Sequence, residues 1–345
     1  MILLKKLLLK CRRGHVTSLL IGVIIIMFYS CISIPSSHFL GFKKSSYFNE
    51  QVKMYTFDPG VRILIDAPRK KLFGIKKPTR IVFYALPNGN TIEQTFGKKV
   101  KEDVDWHFGI QHIGAQTRRL REIIKDENII VAYLEAEGKS WPSWRGKYEN
   151  NRELIPKIIE SIKQQVNIPD AQIELSAHSG GGSFIFGYIN NVEKIPSAVR
   201  RIIFLDANYS FSNDEKHGEK LLEWLKSNPD NHLVIIAYDD REITLNGKKV
   251  LGPTGGTFRA THRMIERLEK DIKLDKRTEG DIEHYKGLNE QIDIIIHLNP
   301  KNEILHTVLV EKNGFIHSLT LGTKYENKAG IFRGPIEYTK WIQED

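Results

Sequence analysis

Short, continuous apolar runs alternate with helical patterns along most of this 345-residue sequence. Arg80–Leu86, Asn128–Leu134 and Ala171–Ala177 are predicted strands, and Gln116–Lys125 and Asn151–Gln165 carry apolar residues at helical spacing. Strands that are apolar along both faces are typical of a parallel sheet that helices cover on both sides. The sequence therefore predicts an α/β protein with a mostly parallel sheet.

The same pattern indicates how the sheet begins and ends. Val52–Phe57 and Val61–Ala67 are separated by Asp58-Pro59-Gly60, a strong hairpin signal, so an antiparallel hairpin is expected at the N-terminal end. Helices are predicted near Glu215–Lys226 and Thr257–Ile272. The later predicted strands are Arg200–Leu205, His232–Tyr238 and either Ile292–Leu298 or Ile304–Val310.

Composition excludes several classes of protein. Hydrophobic residues make up 41% of the chain and charged residues 27%, values that exclude a disordered, collagenous or multi-span membrane protein. The two cysteines, Cys11 and Cys31, both precede residue 32. The rest of the chain has no thiol, which excludes a disulfide, a cysteine nucleophile or a cysteine metal site there.

The net charge of +9 is unevenly distributed. No acidic residue precedes Glu50, and residues 19–345 carry only +4. No nucleic-acid-binding module stands out in that part, so nucleic acid is not an expected partner, and the mild excess suits anionic lipid or cell-wall material. The other five positive charges belong to Lys5, Lys6, Lys10, Arg12 and Arg13.

The N-terminus has the pattern of an export segment. Residues 1–18 are basic, Leu19–Ile34 is an apolar run, and Pro35 ends it. This pattern predicts an export signal or membrane anchor over residues 1–34 and places the mature protein in the periplasm or at the cell surface. The run is shorter than the ~20 residues that span a bilayer comfortably, and tilt or bilayer thinning would allow an anchor.

Three forms of the export segment remain open. The sequence Phe-Tyr-Ser-Cys ending at Cys31 resembles a bacterial lipoprotein box, in which Cys31 would carry the lipid. An uncleaved anchor and an ordinary cleaved signal are the alternatives. Residues 35–50 are predicted to be a tether, and residues 51–345 a single domain.

The most informative motif is a serine on a glycine-rich turn. The predicted strand that ends at Ala177 runs into His178-Ser179-Gly180-Gly181 and then into a predicted helix. On a strand–serine–helix turn the residues two positions either side of the serine must be small, as Ala177 and Gly181 are. Neither nucleotide-binding glycine pattern is present at this turn. The turn predicts Ser179 as a nucleophile and the Gly180 amide as an oxyanion donor, with His178 as a packing or orienting residue.

This Ala-His-Ser-x-Gly turn resembles the nucleophile elbow of the α/β-hydrolase family, in the form found in some secreted bacterial lipases. The resemblance covers roughly residues 50–320 as topology, with Ala177 in the place of the usual first glycine. It implies a Ser-His-Asp triad in the chain order serine, acid, histidine. The acid is then expected after the second strand that follows the serine, and the histidine after the last strand.

Three aspartates and three late histidines fit these places. Asp240 is the preferred acid, because Asp239-Asp240 ends the second later strand, and Asp239 and Asp206 are the alternatives. His317 is the preferred base, because it follows Val308–Val310, predicted to end a late strand, and an Asn-Gly turn. The other candidates for the base are His306, within the apolar run, and then His297.

Two further features concern oxyanion stabilisation and substrate binding. The loop after Arg80–Leu86 contains Gly89 and Asn90, whose amides are expected to join Gly180, with a simple turn as the equal alternative. Trp141 and Trp144 lie in a predicted loop where they would wall an apolar or sugar-bearing substrate or anchor that loop to the body.

The sequence thus predicts an exported serine hydrolase that acts on ester bonds, with amide bonds as the alternative. No metal or organic cofactor is required by this chemistry. The expected partners are an ester substrate and, through the N-terminus, a membrane. A serine peptidase of the same fold and a catalytically silent surface-binding module are the alternatives.

Overall fold

The structure, a computed structural model, describes residues 39–344. The predicted export segment, with Cys31, lies outside the described residues, as do residues 35–38 of the predicted tether. Within the described residues, 41–344 belong to one structural unit. Within the described range, none of the helices has the length and apolarity that crossing a membrane requires.

One sheet of eleven strands organises the described part of the chain. Its order is β1-β2-β3-β5-β4-β6-β7-β8-β13-β12-β11, and β9 and β10 form a separate two-stranded ribbon. The strands are β1 Lys43–Lys44, β2 Glu50–Phe57, β3 Val61–Pro68, β4 Thr79–Ala85, β5 Asn128–Ala136, β6 Gln172–His178, β7 Val199–Leu205, β8 His232–Tyr238, β9 Thr244–Leu245, β10 Lys248–Lys249, β11 Leu274–Glu279, β12 Ile282–Gly287 and β13 Ile292–His297.

The six central strands, β5-β4-β6-β7-β8-β13, are parallel to one another. Every residue of β4, β5 and β8 is buried. Because successive side chains of a strand point to opposite faces, both faces of this part of the sheet are covered. The predicted α/β class, the mostly parallel sheet and the antiparallel N-terminal hairpin of β2 and β3 are confirmed.

Helices connect the parallel strands and supply the covering layers. The α-helices of the described residues are α1 Ile92–Phe96, α2 Ile113–Ile123, α3 Trp141–Lys147, α4 Asn151–Val166, α5 Gly182–Asn191, α6 His217–Ser227, α7 Thr257–Leu268, α8 Val308–Glu311 and α9 Gly314–Thr320. Helix α4 shows why they pack: its buried residues include Leu154, Ile155, Ile158 and Ile162, a spacing of three and four that forms one apolar stripe.

The C-terminal third departs from the sequence prediction in two places. The apolar run Ile304–Val310 is not a strand, since its end opens helix α8, and β13 is the last parallel strand. Beyond β13 the sheet continues into an antiparallel hairpin of β11 and β12 that the sequence did not predict. Strand β11, LDKRTE, is an exposed edge strand, and such strands carry charges instead of an apolar pattern.

The fold also begins earlier than predicted. Lys43 and Lys44 pair with Val52 and Gln51 as edge strand β1, and β2 starts at Glu50. Lys43, Lys44 and Glu50, which lie in the predicted tether, are therefore part of the sheet.

Candidate active site

Ser179 follows the last residue of β6 and has a φ of +54°, which is uncommon for a residue with a side chain. The chain then makes a short turn and enters α5 at Gly182. A Cβ on Gly181 would lie 2.2 Å from the carbonyl oxygen of Ala85, and one on Gly182 would lie 1.6 Å from that of Ala207. The small residues after the serine thus let β6 and α5 pass close to the neighbouring strand ends, as the motif predicts.

His306 and Asp206 are joined by a hydrogen bond at the same edge of the sheet. Asp206 directly follows β7, is fully buried as a side chain, and accepts a hydrogen bond from Nδ1 of His306. His306 lies in the loop after β13, and its side chain is 26% exposed. A histidine that donates from Nδ1 to a carboxylate keeps Nε2 free to accept a proton.

Two side chains hold the His306 loop against the serine turn. Nε2 of His178 donates to the carbonyl oxygen of His306 at 3.0 Å, and the two imidazole rings lie 4.5 Å apart. Burial, followed by the neighbouring His306, lowers the pKa of His178 well below its ordinary value, so His178 is a neutral donor. Tyr238 contacts the backbone of Leu305 and His306 through its hydroxyl.

In the described structure no hydrogen bond joins the Ser179 hydroxyl to His306. Hydrogen bonds between catalytic groups are often long or poorly aligned until substrate binds. The His306 ring nevertheless lies 4.5 Å from the ring of His178, the residue that immediately precedes the serine. The structure therefore brings Ser179, His306 and Asp206 to one place.

Asp240 is linked to Asp206 through Thr257, whose hydroxyl contacts both carboxylates. The Thr257 hydroxyl donates to Asp206 and lies 3.2 Å from Oδ2 of Asp240, which also accepts from the Thr257 amide at 2.7 Å. Burial and the nearby Asp206 carboxylate raise the pKa of Asp240 to about 6. Oδ1 of Asp240 is buried without a hydrogen-bond partner within residues 39–344. Asp240 thus supports the acid that holds the histidine but does not itself contact His306.

The loop after β4 lies directly over the serine turn. A Cβ on Gly180 would fall 2.1 Å from the side-chain oxygen of Asn88, so this asparagine rests against the turn. The backbone N–H of Asn88 makes no hydrogen bond within the described residues. Sequence reasoning missed Asn88, although it is the neighbour of the predicted Gly89.

The structure gives one of the two predicted loop donors another partner. The backbone amide of Gly89 donates to the carbonyl oxygen of Lys139 at 2.9 Å, so it is already used. The backbone amides of Asn88 and Asn90 make no hydrogen bond within residues 39–344, so the expectation for Asn90 stays a prediction. Asn88 is the residue of this loop that rests against Gly180, which makes it a second candidate beside Gly180.

No known family model matches the sequence, and no curated protein matches it. Among solved structures, a thermostable esterase aligns with 79% of this chain at 12% identity and a TM-score of 0.46, and the alignment spans 61% of that esterase. The feruloyl esterase module of Clostridium thermocellum aligns with 77% of this chain and 85% of its own length, at 11% identity and a TM-score of 0.43. A siderophore hydrolase from Aspergillus nidulans covers 81% of this chain and 96% of its own, at 12% identity and 0.42.

The sheet and the serine turn decide the fold. Six parallel strands flanked by antiparallel ones, with a strained serine between a central strand and a helix, are present together. This is an α/β-hydrolase fold.

Within the α/β-hydrolase fold, the preferred histidine of the sequence analysis lies elsewhere. His317 lies in α9, where its ring stacks on Phe332 at 5.5 Å. Burial lowers its pKa to about 4, and the charged groups that act on it are Asp293 and His284. No hydrogen bond joins it to Asp206, Asp239 or Asp240 in the described residues. The expectation failed because the apolar run before His317 is helical, so the histidine after the last strand is His306.

The remaining acid and base candidates, Asp239 and His297, have other partners. Asp239 pairs with Arg241 at 2.6 Å instead of with a histidine. His297 ends β13, and its Nδ1 accepts from the Asn299 amide at 2.9 Å. The acid and the base that the structure joins are therefore the two alternatives, Asp206 and His306.

Trp141 and Trp144 do not wall a substrate site. They lie in helix α3, and each is 1% exposed. The indole nitrogen of Trp141 donates to the carbonyl oxygen of Leu134 at 3.1 Å, and that of Trp144 to that of Pro59 at 2.9 Å. Both side chains anchor the helix to the sheet, as the alternative interpretation held.

Residues 39–344 contain no group of three or more metal-ligating side chains arranged to hold a metal ion.

Proposed function

We propose that this chain is a serine hydrolase in which Ser179 attacks a carboxylic ester, His306 is the general base and Asp206 orients His306. The observation that carries the proposal is the hydrogen bond from His306 Nδ1 to the buried Asp206 carboxylate, at the edge of the sheet where Ser179 sits on a strained turn. A buried carboxylate that accepts a hydrogen bond from a partly exposed imidazole is the arrangement that activates a serine.

The reaction proceeds in two steps. Nε2 of His306 takes the proton of the Ser179 hydroxyl while Oγ bonds to the ester carbonyl carbon, and the alcohol leaves with that proton, which produces an acyl-serine. Water then attacks the acyl-serine, His306 accepts a proton from the water and returns it to Ser179, and the carboxylic acid is released. Asp206 stabilises the imidazolium at both stages and is not itself protonated.

The negative charge that develops on the carbonyl oxygen needs donors beside Ser179. The Gly180 amide follows the serine on the same turn, and the Asn88 amide comes from the loop that rests against Gly180. Two backbone amides fixed before the reaction lower the barrier because they need no reorganisation. We assign the oxyanion site to Gly180 and Asn88.

Esters are the proposed substrates because the Ala-His-Ser-x-Gly turn resembles that of lipases. Export is part of the proposal and depends on the sequence of residues 1–34, with Cys31 as the lipid-bearing residue of a lipoprotein form. The mass of the mature N-terminus, together with sensitivity to globomycin, separates a lipoprotein from an uncleaved anchor and from a cleaved signal.

A fluorophosphonate probe, which reacts with activated serines, tests the enzyme proposal. The wild-type chain is expected to be labelled, and the Ser179→Ala variant is not. Absence of serine-dependent labelling in folded protein would refute the proposal and leave the surface-binding module. A panel of p-nitrophenyl esters and aminoacyl anilides then distinguishes an esterase from a peptidase.

A further inference from the structure

Two neighbouring segments at one end of the fold carry cationic side chains and no acidic ones. Residues 41–49 contain Lys43 and Lys44, and residues 69–78 contain Arg69, Lys70, Lys71, Lys76 and Lys77. We call this surface, formed by residues 41–49 and 69–78, the lysine face. Arg69 joins its two parts, because its guanidinium donates to the side-chain oxygen of Asn49 and to the carbonyl oxygen of Ser45, each at 3.3 Å.

The net charge of the lysine face is positive, whereas that of the remainder of the folded chain is negative. The chain carries +9, of which five charges precede residue 39 and seven belong to this face, so all other residues sum to −3. The mild basicity of the body is therefore not spread over its surface. A concentrated patch produces a directional field, and a dispersed excess does not.

Nearby acids do not neutralise this face. Lys43, Lys44, Lys70, Lys71 and Lys76 make no ion pair within residues 39–344, and all five are exposed. The neighbouring acids have other partners: Glu50 is bound by Arg118, Glu122 by Arg119 and Lys340, and Glu127 by Arg80. The lysine charges are thus available to an external anion.

Apolar side chains stand among these lysines. Leu72 is 55% exposed, Ile75 is 74% exposed, and Tyr47 is 56% exposed. Lysine beside exposed aliphatic and aromatic side chains is the composition of surfaces that insert shallowly into anionic bilayers. Nucleic acid would gain little from Leu72 and Ile75, and the single arginine is held by the protein itself.

The position of the lysine face in the chain agrees with an anionic bilayer as its partner. The predicted export or anchor segment ends at residue 34, and the face begins at Gly41. Seven residues of extended chain span at most about 25 Å. A membrane that holds the predicted anchor would therefore be within reach of the face.

The active site lies at the opposite edge of the sheet. Residues 69–78 precede the first residue of β4, whereas Ser179 follows the last residue of β6, and β4 and β6 are parallel with Ala85 opposite Ala177. The seven residues of β4 separate the two edges by about 23 Å at about 3.3 Å per residue.

We infer that the lysine face rests on an anionic phospholipid surface and that the catalytic edge points away from the bilayer. The contact with the membrane is inferred from charge and exposure alone. The orientation of the catalytic edge rests on the proposed function. An enzyme held in this orientation acts on esters carried by soluble molecules or by material outside the bilayer, because the membrane lipids beneath it cannot reach Ser179.

The test uses the full chain, reconstituted from detergent into vesicles, with Cys11→Ser and Cys31→Ser to remove native thiols. An environment-sensitive fluorophore is attached at Ile75→Cys, and at Leu245→Cys as a control on the catalytic edge, where Leu245 is 59% exposed. Vesicles contain either pure phosphatidylcholine or phosphatidylcholine with one third phosphatidylglycerol. The emission of the Ile75 probe is expected to shift to the blue with phosphatidylglycerol only, and that of the Leu245 probe to stay unchanged.

Removal of positive charges from the lysine face should weaken its binding to the anionic vesicles. A lysine near an anionic surface contributes roughly a fivefold preference, so Lys70→Gln with Lys71→Gln should weaken docking about 25-fold. No shift at Ile75, an equal shift at Leu245, or an equal shift with phosphatidylcholine alone would overturn the inference. A shift caused by duplex DNA but not by vesicles would assign the face to nucleic acid instead.

Fluorophosphonate labelling of the same samples keeps the two proposals apart. Labelling of the Lys70→Gln/Lys71→Gln chain at the wild-type rate shows an intact enzyme whatever the docking result. Docking without labelling would refute the hydrolase and the orientation of a catalytic edge, and would leave the membrane face standing.

Discussion

The imidazole of His306 donates to the carboxylate of Asp206, although 100 residues separate them in the sequence. Asp206 follows β7, and His306 lies in the loop after β13, with β8 between these strands in the sheet. The pairing therefore depends on the order of strands and not on any local motif.

Alanine substitution of each histidine in turn tests whether His306 or His317 is the general base. His306→Ala removes the proposed base, and we expect kcat/KM toward a p-nitrophenyl ester to fall by about 10⁶. His317→Ala should leave kcat/KM within a few fold and lower the free energy of unfolding by about 1–3 kcal/mol, because His317 is buried against Phe332. The opposite ranking in steady-state kinetics would restore His317 as the base.

Substitution of the two buried aspartates, Asp206 and Asp240, should affect kcat to very different extents. Asp206→Asn loses the acceptor that fixes the tautomer of His306, and a fall of about 10⁴ in kcat is expected. Asp240→Asn keeps an oxygen for the Thr257 amide and should cost less than about tenfold. Circular dichroism of both variants provides the folding control, and equal losses of kcat would contradict the assignment of Asp206.

The pH dependence of stability should report the buried Asp240 carboxyl. Burial raises its pKa to about 6 from an ordinary value of 3.8, so the native state holds this proton more tightly than the unfolded chain does. The contribution to stability is complete below about pH 4 and is lost as the pH rises through 6, at a total of about 3 kcal/mol. In urea titrations, the free energy of unfolding of Asp240→Asn relative to wild type should therefore rise by about that amount between pH 4 and pH 8, and a pH-independent difference would be the contrary result.

The glycines of the serine turn should not tolerate a methyl group. Gly181→Ala places a Cβ 2.2 Å from a backbone oxygen of Ala85, which cannot move away as a flexible side chain can. We expect a loss of more than about 2 kcal/mol of stability and loss of probe labelling. Gly146→Ala, in helix α3 with nothing within 4 Å of the added carbon, is the matched control and should be neutral or stabilising by up to about 1 kcal/mol in thermal unfolding.

Trp144 tests whether the tryptophan helix has a purely structural role. Trp144→Phe removes the hydrogen bond to the Pro59 carbonyl and part of a fully buried side chain, so the free energy of unfolding should fall by about 2–3 kcal/mol. KM for short and long p-nitrophenyl esters should stay unchanged. A selective rise of KM for long esters would return Trp144 to the substrate site.

The parts of the fold and site that sequence could predict are those with a local signature. Strand burial and the alternation with helices gave the α/β class, and the small residues around Ser179 marked the strained turn. The base could not be chosen in this way, because the apolar run Ile304–Val310 fits a strand and a buried helix equally well.

The acid presented a different difficulty. Asp206 and Asp240 both follow parallel strands, at neighbouring places on the same edge of the sheet. The choice between them depends on which one the Thr257 hydroxyl and the His306 ring reach, and these residues lie 51 and 100 positions from Asp206 in the chain. Contacts over such separations leave no pattern in a single sequence.

The separation of the catalytic groups in the chain has a consequence for newly made protein. Ser179 is in place once β6 and α5 have formed, but its base arrives only with the loop beyond β13, and the acid is fixed from β7. A chain that is still being synthesised, or that is threaded unfolded through a translocation channel, therefore carries the serine without the means to activate it. In the proposed enzyme, hydrolysis would begin only when the last parallel strand has joined the sheet.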